Sequence, residues 1–539
     1  MTFVTVPPHL LVAAAADVTG IGSVINDAAV AAAEPTTGVV PAASDEVSTA
    51  TSTLFGAYAQ DFQAMIKQAS AFRDKFAQAL SSAFGGYTET EAANAAANVT
   101  LVMGGSGNPI PPLSYVNAVV AKYITPNFPG FTVADAQALF TPEAFYPLTG
   151  IKDLVPNVSV ARGVTILDNA IQQQLSLGNH VAVLGFSQSS IIASLEMENL
   201  DPSGTPSSLP VVFTLLGDPM NPNGGLLARF PGLTMPSLGF TFYGATPDND
   251  FPTNIYTIEY DGFADFPQYP INVLADLNAL AGIYYVHGTY ADLTPGQINS
   301  AIPLTNTVGP TLTHYYMIPN PHLPLLEPLR AIPVVGNPVA DLLEPDMRIL
   351  VNLGYGSPDQ GWSTGPPNVP TSFGLFPPIN AGEVLGDLAT GTQQGIGAFV
   401  SDVGAQGSGL SLSGVSQPLS VIQPPSLSAP PSIPGVIGSL QATNTSVTNA
   451  ISSALSTGYS VLLPTTDFGN AALVSVPSYD ANLFLNGILQ AVNGDPAGVI
   501  NAVGDPIAAD TALFTIAGGF EAIVLVSAAE SIVGDFASI

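Results

Sequence analysis

The sequence predicts an α/β protein. A mostly parallel sheet covered by helices is expected over residues 96–345, preceded by a helical hairpin over 1–95 and followed by an acidic Gly/Pro/Ser/Ala-rich tail over 346–539. Three observations carry this. Alanine-rich segments with apolar residues at helical spacing fill the first part, and short β-branched runs alternate with helical patterns through the middle. Beyond Arg348, Lys, Arg and His disappear while Asp and Glu persist.

The hairpin is expected from one segment over about 8–33, the breaker-rich EPTTGVVPAAS, and a second segment over about 44–84. In the second, Leu54, Tyr58, Phe62, Met65, Ile66, Phe72, Phe76 and Leu80 recur at helical spacing, so this stripe should be buried inside the hairpin. Gly85-Gly86 should end the helix.

In the middle region LVMGG, HVAVLGF, VVFTLLG and IYTIEY read as strands. Between them PPLSYVNAVVAKYI, GVTILDNAIQQQLSLG, SSIIASLEMENL and INVLADLNALAGIYYV read as helices. Such alternation produces a parallel sheet buried on both faces. In the tail, residues 350–440 read as loop-rich linker, clearest at PPSLSAPPSIPG, and apolar periodicity returns at 441–462 and 482–535. A GDP tripeptide occurs twice, ten residues apart, too short an array for a repeat fold. The tail holds no catalytic base other than carboxylates, so it is expected to be non-catalytic.

Composition removes several functions. With 9 Lys+Arg against 40 Asp+Glu among 539 residues, the net charge of −31 repels phosphate backbones, so no nucleic-acid partner is expected. Charged residues make up 9% and hydrophobic ones 47%, which suits folded chain rather than an acidic disordered one. Without cysteine there is no disulfide, no thiolate nucleophile and no Cys-ligated zinc. The first twenty residues lack the basic start of a Sec signal peptide. No transmembrane span is expected, because even AGGFEAIVLVSAAESIVG is cut by Glu521 and Glu530.

The chemistry centres on HVAVLGFSQSS, residues 180–190. An apolar strand that stops at Gly185 and resumes as a helix at Gln188 is a strand–turn–helix joint, and Gly185-Phe186-Ser187-Gln188-Ser189 fits a nucleophile elbow with serine in the last glycine position. Gly409-Leu410-Ser411-Leu412-Ser413 fits the same pattern but lacks a strand before it and a helix after it. Context therefore selects Ser187 as the nucleophile of an α/β-hydrolase-like sheet.

Ser187 needs a base. His9 lies in the hairpin, and His180, seven residues back on the same strand, is roughly 23 Å away. His287 is preferred because it follows the last helix after the IYTIEY strand, with His314 and His322 as alternatives. All three follow the serine, as the order Ser…Asp…His requires. IYTIEYDGFADFP offers Asp265 as the preferred acid and Asp261 as the alternative. Asp218 reads rather as a turn residue. Oxyanion donors are expected from the Gln188 N–H and from Gly105 or Ser106 in LVMGGSGNP. That glycine loop lacks the lysine of a phosphate-binding loop, and no two histidines stand at ligand spacing, so neither a cofactor nor a metal is expected.

Taken together these segments resemble a known family. Thr2-Phe3-Val4, LLVAAAADVTGIGSVINDA and the second long helix resemble the PE domain of mycobacterial PE proteins, although the namesake Pro-Glu is here Pro8-His9. Tyr87-Thr-Glu-Thr-Glu91 resembles the YxxxD/E signal that follows this hairpin in the family and directs type VII secretion. GFSQS, LLGDPMNPNGG, YDGFADFPQYP, YYVHGTY and IPNPHLPLL resemble the PE-PPE domain, a serine α/β-hydrolase module related to cutinases and lipases. The resemblance implies a secreted or cell-surface esterase or lipase acting on acyl esters, with Ser187 as nucleophile, and it favours His287 as base. An acyltransferase with the same catalytic residues, or a non-catalytic surface protein, are the alternatives. It also implies a PPE-family partner for the hairpin. The stretch GGLLARFPGLTMPSLGF could then line an acyl pocket or act as a lid.

Overall fold

A computed structural model of the protein describes residues 8–91, 97–407 and 433–537. The chain forms two compact units, one of residues 1–97 with 172–179 and one of residues 98–171 with 180–539. The tail from residue 346, expected as a separate extension, belongs to the second unit.

In the first unit the helices Pro8–Thr37 and Glu46–Glu91 pair as a hairpin. Asp45 caps the second helix, its Oδ1 accepting the Ser48 N–H at 2.8 Å. Gln63 ties the pair by donating from Nε2 to the Ala29 carbonyl at 2.9 Å. Two expectations fail here. The helix runs through Gly85-Gly86 to Glu91, because a mid-helix glycine costs only about 1 kcal/mol and need not terminate a long helix. The aromatic stripe is also not covered: Leu54, Tyr58, Phe62, Met65, Phe72 and Phe76 are all exposed. Among the described residues, the buried positions of the first helix are instead small, Gly22 and Ala29.

The second unit is built on a seven-stranded sheet. Its strands are β1 (Asn98–Val102), β2 (Ala136–Ala138), β3 (His180–Phe186), β4 (Val211–Leu216), β7 (Thr253–Ile258), β8 (Ile302–Leu304) and β9 (Thr313–Ile318). β5 (Thr234–Met235) and β6 (Phe240–Thr241) form a separate antiparallel pair. The order is β2-β1-β3-β4-β7-β9-β8, parallel throughout except for the β8 edge. β3 is buried from Val181 to Gly185 without alternation, as a strand covered on both faces must be.

The tail is more ordered than its composition suggests. Residues 381–407, read as linker, form a helix. Two of its glycines are contact points rather than breakers: a Cβ on Gly395 would sit 2.1 Å from the Leu342 carbonyl of the helix Gly336–Asn352, and one on Gly391 would meet Asp346 of the same helix at 2.3 Å. PPSLSAPPSIPG lies largely outside the described residues, as does the second elbow-like match at 409–413. The helices Ile433–Ser460, Leu462–Asn470, Val476–Val492 and Ala497–Ala537 follow. The last is long and apolar enough, by length and composition, to cross a membrane. Here Gly498, Ala502, Ala508, Ala509, Ala512 and Ile516 give it a continuous buried face.

Candidate active site

The site stands at the carboxyl ends of three adjacent strands, where open α/β sheets place their ligands. β3 delivers Ser187, the first residue after its end. Ser187 adopts φ +58 and ψ −119, a left-handed kink that a non-glycine residue holds only when its surroundings enforce it. Its N–H continues the ladder onto the Leu216 carbonyl at 3.0 Å, and Phe186 N–H is held by Ser189 Oγ at 2.8 Å. The helix Gln188–Leu200 then leads away.

β7 delivers the carboxyl group. Tyr260, at φ +68, turns the chain just beyond the strand, and Asp261 follows, fully buried. The helix Val273–Tyr285 delivers His287 on the short 3-10 turn His287–Thr289. Acid loop and helix touch backbone to backbone. A Cβ on Gly262 would lie 2.1 Å from the Ala279 carbonyl, and one on Gly282 would lie 1.8 Å from the Tyr260 carbonyl.

The three side chains converge. Ser187 Oγ lies 2.7 Å from His287 Nε2, and His287 Nδ1 lies 2.8 and 2.9 Å from the two Asp261 oxygens. The carboxyl group at Nδ1 selects the tautomer with its proton there, leaving Nε2 to accept from the serine hydroxyl. Asp261 also accepts the Tyr290 hydroxyl at 2.7 Å and the Phe263 N–H at 3.1 Å. Tyr290 in turn accepts the Ile258 N–H at 2.9 Å. Phe263 stands edge-on to the imidazole with centroids 4.7 Å apart.

Asp265, the preferred acid from sequence, does not meet the imidazole. The Asp265 N–H donates to the Asp261 carbonyl at 2.6 Å, which places it one turn further on, and its Oδ2 accepts the Tyr260 N–H at 3.0 Å. Burial pushes its carboxyl well above the usual carboxylate range, opposite to what an acid facing an imidazolium needs. His314 is exposed on β9 and His322 is exposed in the loop before Pro324–Leu326, and neither bonds to Ser187. Asp218 closes its own turn, accepting the Met220 N–H at 3.0 Å and the Thr246 hydroxyl at 2.6 Å.

Gly105 lies over the serine: a Cβ there would fall 2.8 Å from the Phe186 ring and 3.3 Å from Ser187 Cβ. Gln188 braces this loop. Its Nε2 donates to the Ala144 carbonyl at 2.9 Å and reaches Ser106 Oγ at 3.4 Å, while its Oε1 accepts from Ser159 at 2.8 Å. Its backbone N–H heads a helix of 13 residues, beside the Gly105 loop. A pocket of about 410 Å³ opens here, lined among others by Ser106, Ser187, Gln188, Phe145, Phe240 and Phe263. Among the described residues no group of three or more His, Cys, Asp or Glu could hold a metal ion.

Two participants escaped the sequence reading. Tyr290 carries a signal in hindsight, three residues after His287 in HGTY and therefore on the same turn. Gly217 carries almost none. It follows β4, at φ +54, and a Cβ there would fall 3.1 Å from both Asp261 Oδ2 and His287 Cε1. Only a residue without a side chain lets acid and base meet across this middle strand end.

Comparison with known proteins agrees with this architecture. The PE family model matches residues 4–94 and the PE-PPE domain model matches residues 132–356. The uncharacterized PPE family protein PPE28 of Mycobacterium tuberculosis is 52% identical over 83% of this chain and 68% of its own length. Esterase PE16 of the same organism is 49% identical over 70% of this chain and 73% of its own. Its diacyltrehalose acyltransferase Chp2 is 30% identical over 54% of this chain and 82% of its own. No solved structure matches. The chain belongs to the PE family and carries a PE-PPE domain.

Proposed function

We propose that the protein is a serine ester hydrolase acting on acyl esters. Ser187 Oγ attacks the ester carbonyl as His287 Nε2 takes its proton, and Asp261 orients the imidazole and stabilises its charged form. The backbone N–H groups of Gln188 and of Gly105 or Ser106 receive the developing oxyanion. The imidazolium then protonates the departing alcohol, and a water activated by the same imidazole releases the acid. What carries this reading is the unbroken chain of hydrogen bonds from Asp261 through His287 to Ser187, ending at a left-handed kink. Similarity to esterase PE16 supports it.

The test is p-nitrophenyl ester turnover together with fluorophosphonate labelling of the full chain. Wild type should turn over and label, and Ser187→Ala should do neither. Equal rates end the reading, and a wild type that neither turns over nor labels favours a non-catalytic surface protein.

Similarity to the acyltransferase Chp2 favours a second reading, in which a sugar alcohol replaces water. Adding trehalose distinguishes the two, since transfer outrunning hydrolysis makes the protein a transferase.

Export by type VII secretion to the cell envelope or surface belongs to the same proposal. Tyr87 and Glu91 lie four residues apart in the last turns of the helix Glu46–Glu91, the spacing of the YxxxD/E signal. Tyr87→Ala should leave the protein inside the cell. The exposed Tyr58, Phe62, Phe72 and Phe76 would be the surface that a PPE-family partner covers. Hairpin protein that remains monomeric and soluble alone would count against that need.

A further inference from the structure

Beside the pocket above Ser187 lies a second cavity, with about 760 Å³ of empty space. Phe145, Phe240 and Phe263 line both, so the two adjoin across these three rings. The side chains around the second cavity are aliphatic or aromatic. The one polar side-chain atom among them, the Tyr146 hydroxyl, is engaged by Asp467 Oδ2 at 2.7 Å. Met235 and Leu238, from the stretch read as pocket wall or lid, form one side.

The opposite side comes from the tail, which sequence left without a role. Phe468, Ala471, Ala472 and Val476 line it from one helical segment, and Leu513, Ala517 and Phe520 from the helix Ala497–Ala537. These segments are docked firmly. Asp467 holds Tyr146, and its carbonyl accepts the Ser237 hydroxyl at 2.9 Å. Gly519 packs so closely that a Cβ would lie 2.3 Å from Leu280 Cδ2, on the helix that leads to His287. The Phe520 ring lies 6.2 Å from that of Phe263, which contacts His287, so two ring contacts join the tail to the imidazole.

We propose that the tail helices complete an acyl-chain pocket, and that the substrate class is an ester of a long-chain fatty acid whose hydrocarbon lies against Ala471, Ala517 and Phe520, beyond the Phe145, Phe240 and Phe263 rings that the two cavities share. A cavity with no free polar side-chain atom selects by apolar area alone, which a hydrocarbon chain supplies and a polar acyl group does not. The direction of the chain rests on Ser187 being the nucleophile; the cavity's affinity for a fatty chain does not.

The experiment uses the full-length protein with Ala517→Phe, which fills the cavity from a half-buried position, and Ala472→Leu as a milder version should the first fail to fold. The first readout is the kcat/KM ratio for p-nitrophenyl laurate over p-nitrophenyl butyrate, expected to fall by at least about ten-fold. The second is binding of the fluorescent fatty acid cis-parinaric acid to Ser187→Ala, expected to persist there and to weaken by at least about ten-fold when the cavity is also filled. Fatty-acid binding that responds in this way while wild type hydrolyses no ester supports the pocket and removes only the nucleophile. An unchanged chain-length ratio together with unchanged fatty-acid binding in a folded filled variant overturns the proposal.

Discussion

His287 Nδ1 faces both oxygens of Asp261, at 2.8 and 2.9 Å, inside a carboxyl environment that also holds the Tyr290 hydroxyl and a backbone N–H. Those donors fix the orientation of the carboxyl group, and the imidazole is held in the tautomer that can accept from Ser187. Asp265, four residues on, has the Tyr260 N–H at Oδ2, and its Oδ1 has no hydrogen-bond partner among the described residues.

The two aspartates should therefore differ sharply on substitution. Asp261→Asn is expected to lower kcat by about 10³–10⁴, since an amide no longer fixes the tautomer or stabilises the imidazolium. Asp265→Asn should stay within about ten-fold of wild type, because its carboxyl does not meet the imidazole and the amide still accepts from Tyr260. Steady-state kinetics on a p-nitrophenyl ester decides, and a reversed order would return the acid's role to Asp265.

Gly217→Ala should damage catalysis out of proportion to its size. The new methyl would stand 2.9 Å from the Tyr290 ring and 3.1 Å from Asp261 and His287, at a φ of +54 that disfavours any side chain. A loss of at least about 100-fold in kcat is expected from displacement of the imidazole alone. Circular dichroism should still report a folded protein, and a near-normal kcat would mean that the acid–base contact tolerates the shift.

How much of this was legible varies by element, for physical reasons. The strands β3, β4 and β7 announce themselves because double burial demands continuous apolar runs, and the Ser187 elbow follows from the glycine beside it. Which carboxyl faces the imidazole is not legible because Asp261 and Asp265 share one short loop, and only its tight turn decides between them. The tail was misread because glycine and proline are punctuation in an isolated chain and packing devices in a helical layer. The twin GDP tripeptides make this plain: Gly494, at φ +97, sits in the turn between two helices, while Gly504 and Pro506 lie inside the helix Ala497–Ala537, with Gly504 against Leu375. Tertiary contact, not local sequence, separates those outcomes.

Tyr290→Phe tests the support of the acid. The substitution removes a donor to Asp261 and leaves the buried Ile258 N–H without its acceptor. A stability loss of about 1–3 kcal/mol is expected from the orphaned amide. The rate should also fall, by about ten-fold, as the carboxyl group loses one of its anchors. Denaturant titration and kinetics on the same preparation check both, and an unchanged midpoint would show that the hydroxyl bonds contribute nothing net.

Asp276 supplies a pH dependence of stability. It lies fully buried in the helix Val273–Tyr285, neither of its oxygens has a hydrogen-bond partner among the described residues, and burial pushes its carboxyl up to about 8. The folded state therefore holds a proton that the unfolded chain releases near its ordinary value of 3.8. Between those values the native state binds more protons than the unfolded one, so stability falls as pH rises, by up to about 1.4 kcal/mol per pH unit for this group. Glu143 and Glu196, each raised to about 8 by burial, act in the same direction. Asp276→Asn removes one of these contributions, so the variant should melt above wild type at pH 8 and lose that advantage toward pH 4. Thermal unfolding across this range is the measurement, and parallel curves for the two proteins would mean that Asp276 does not carry its proton into the folded state.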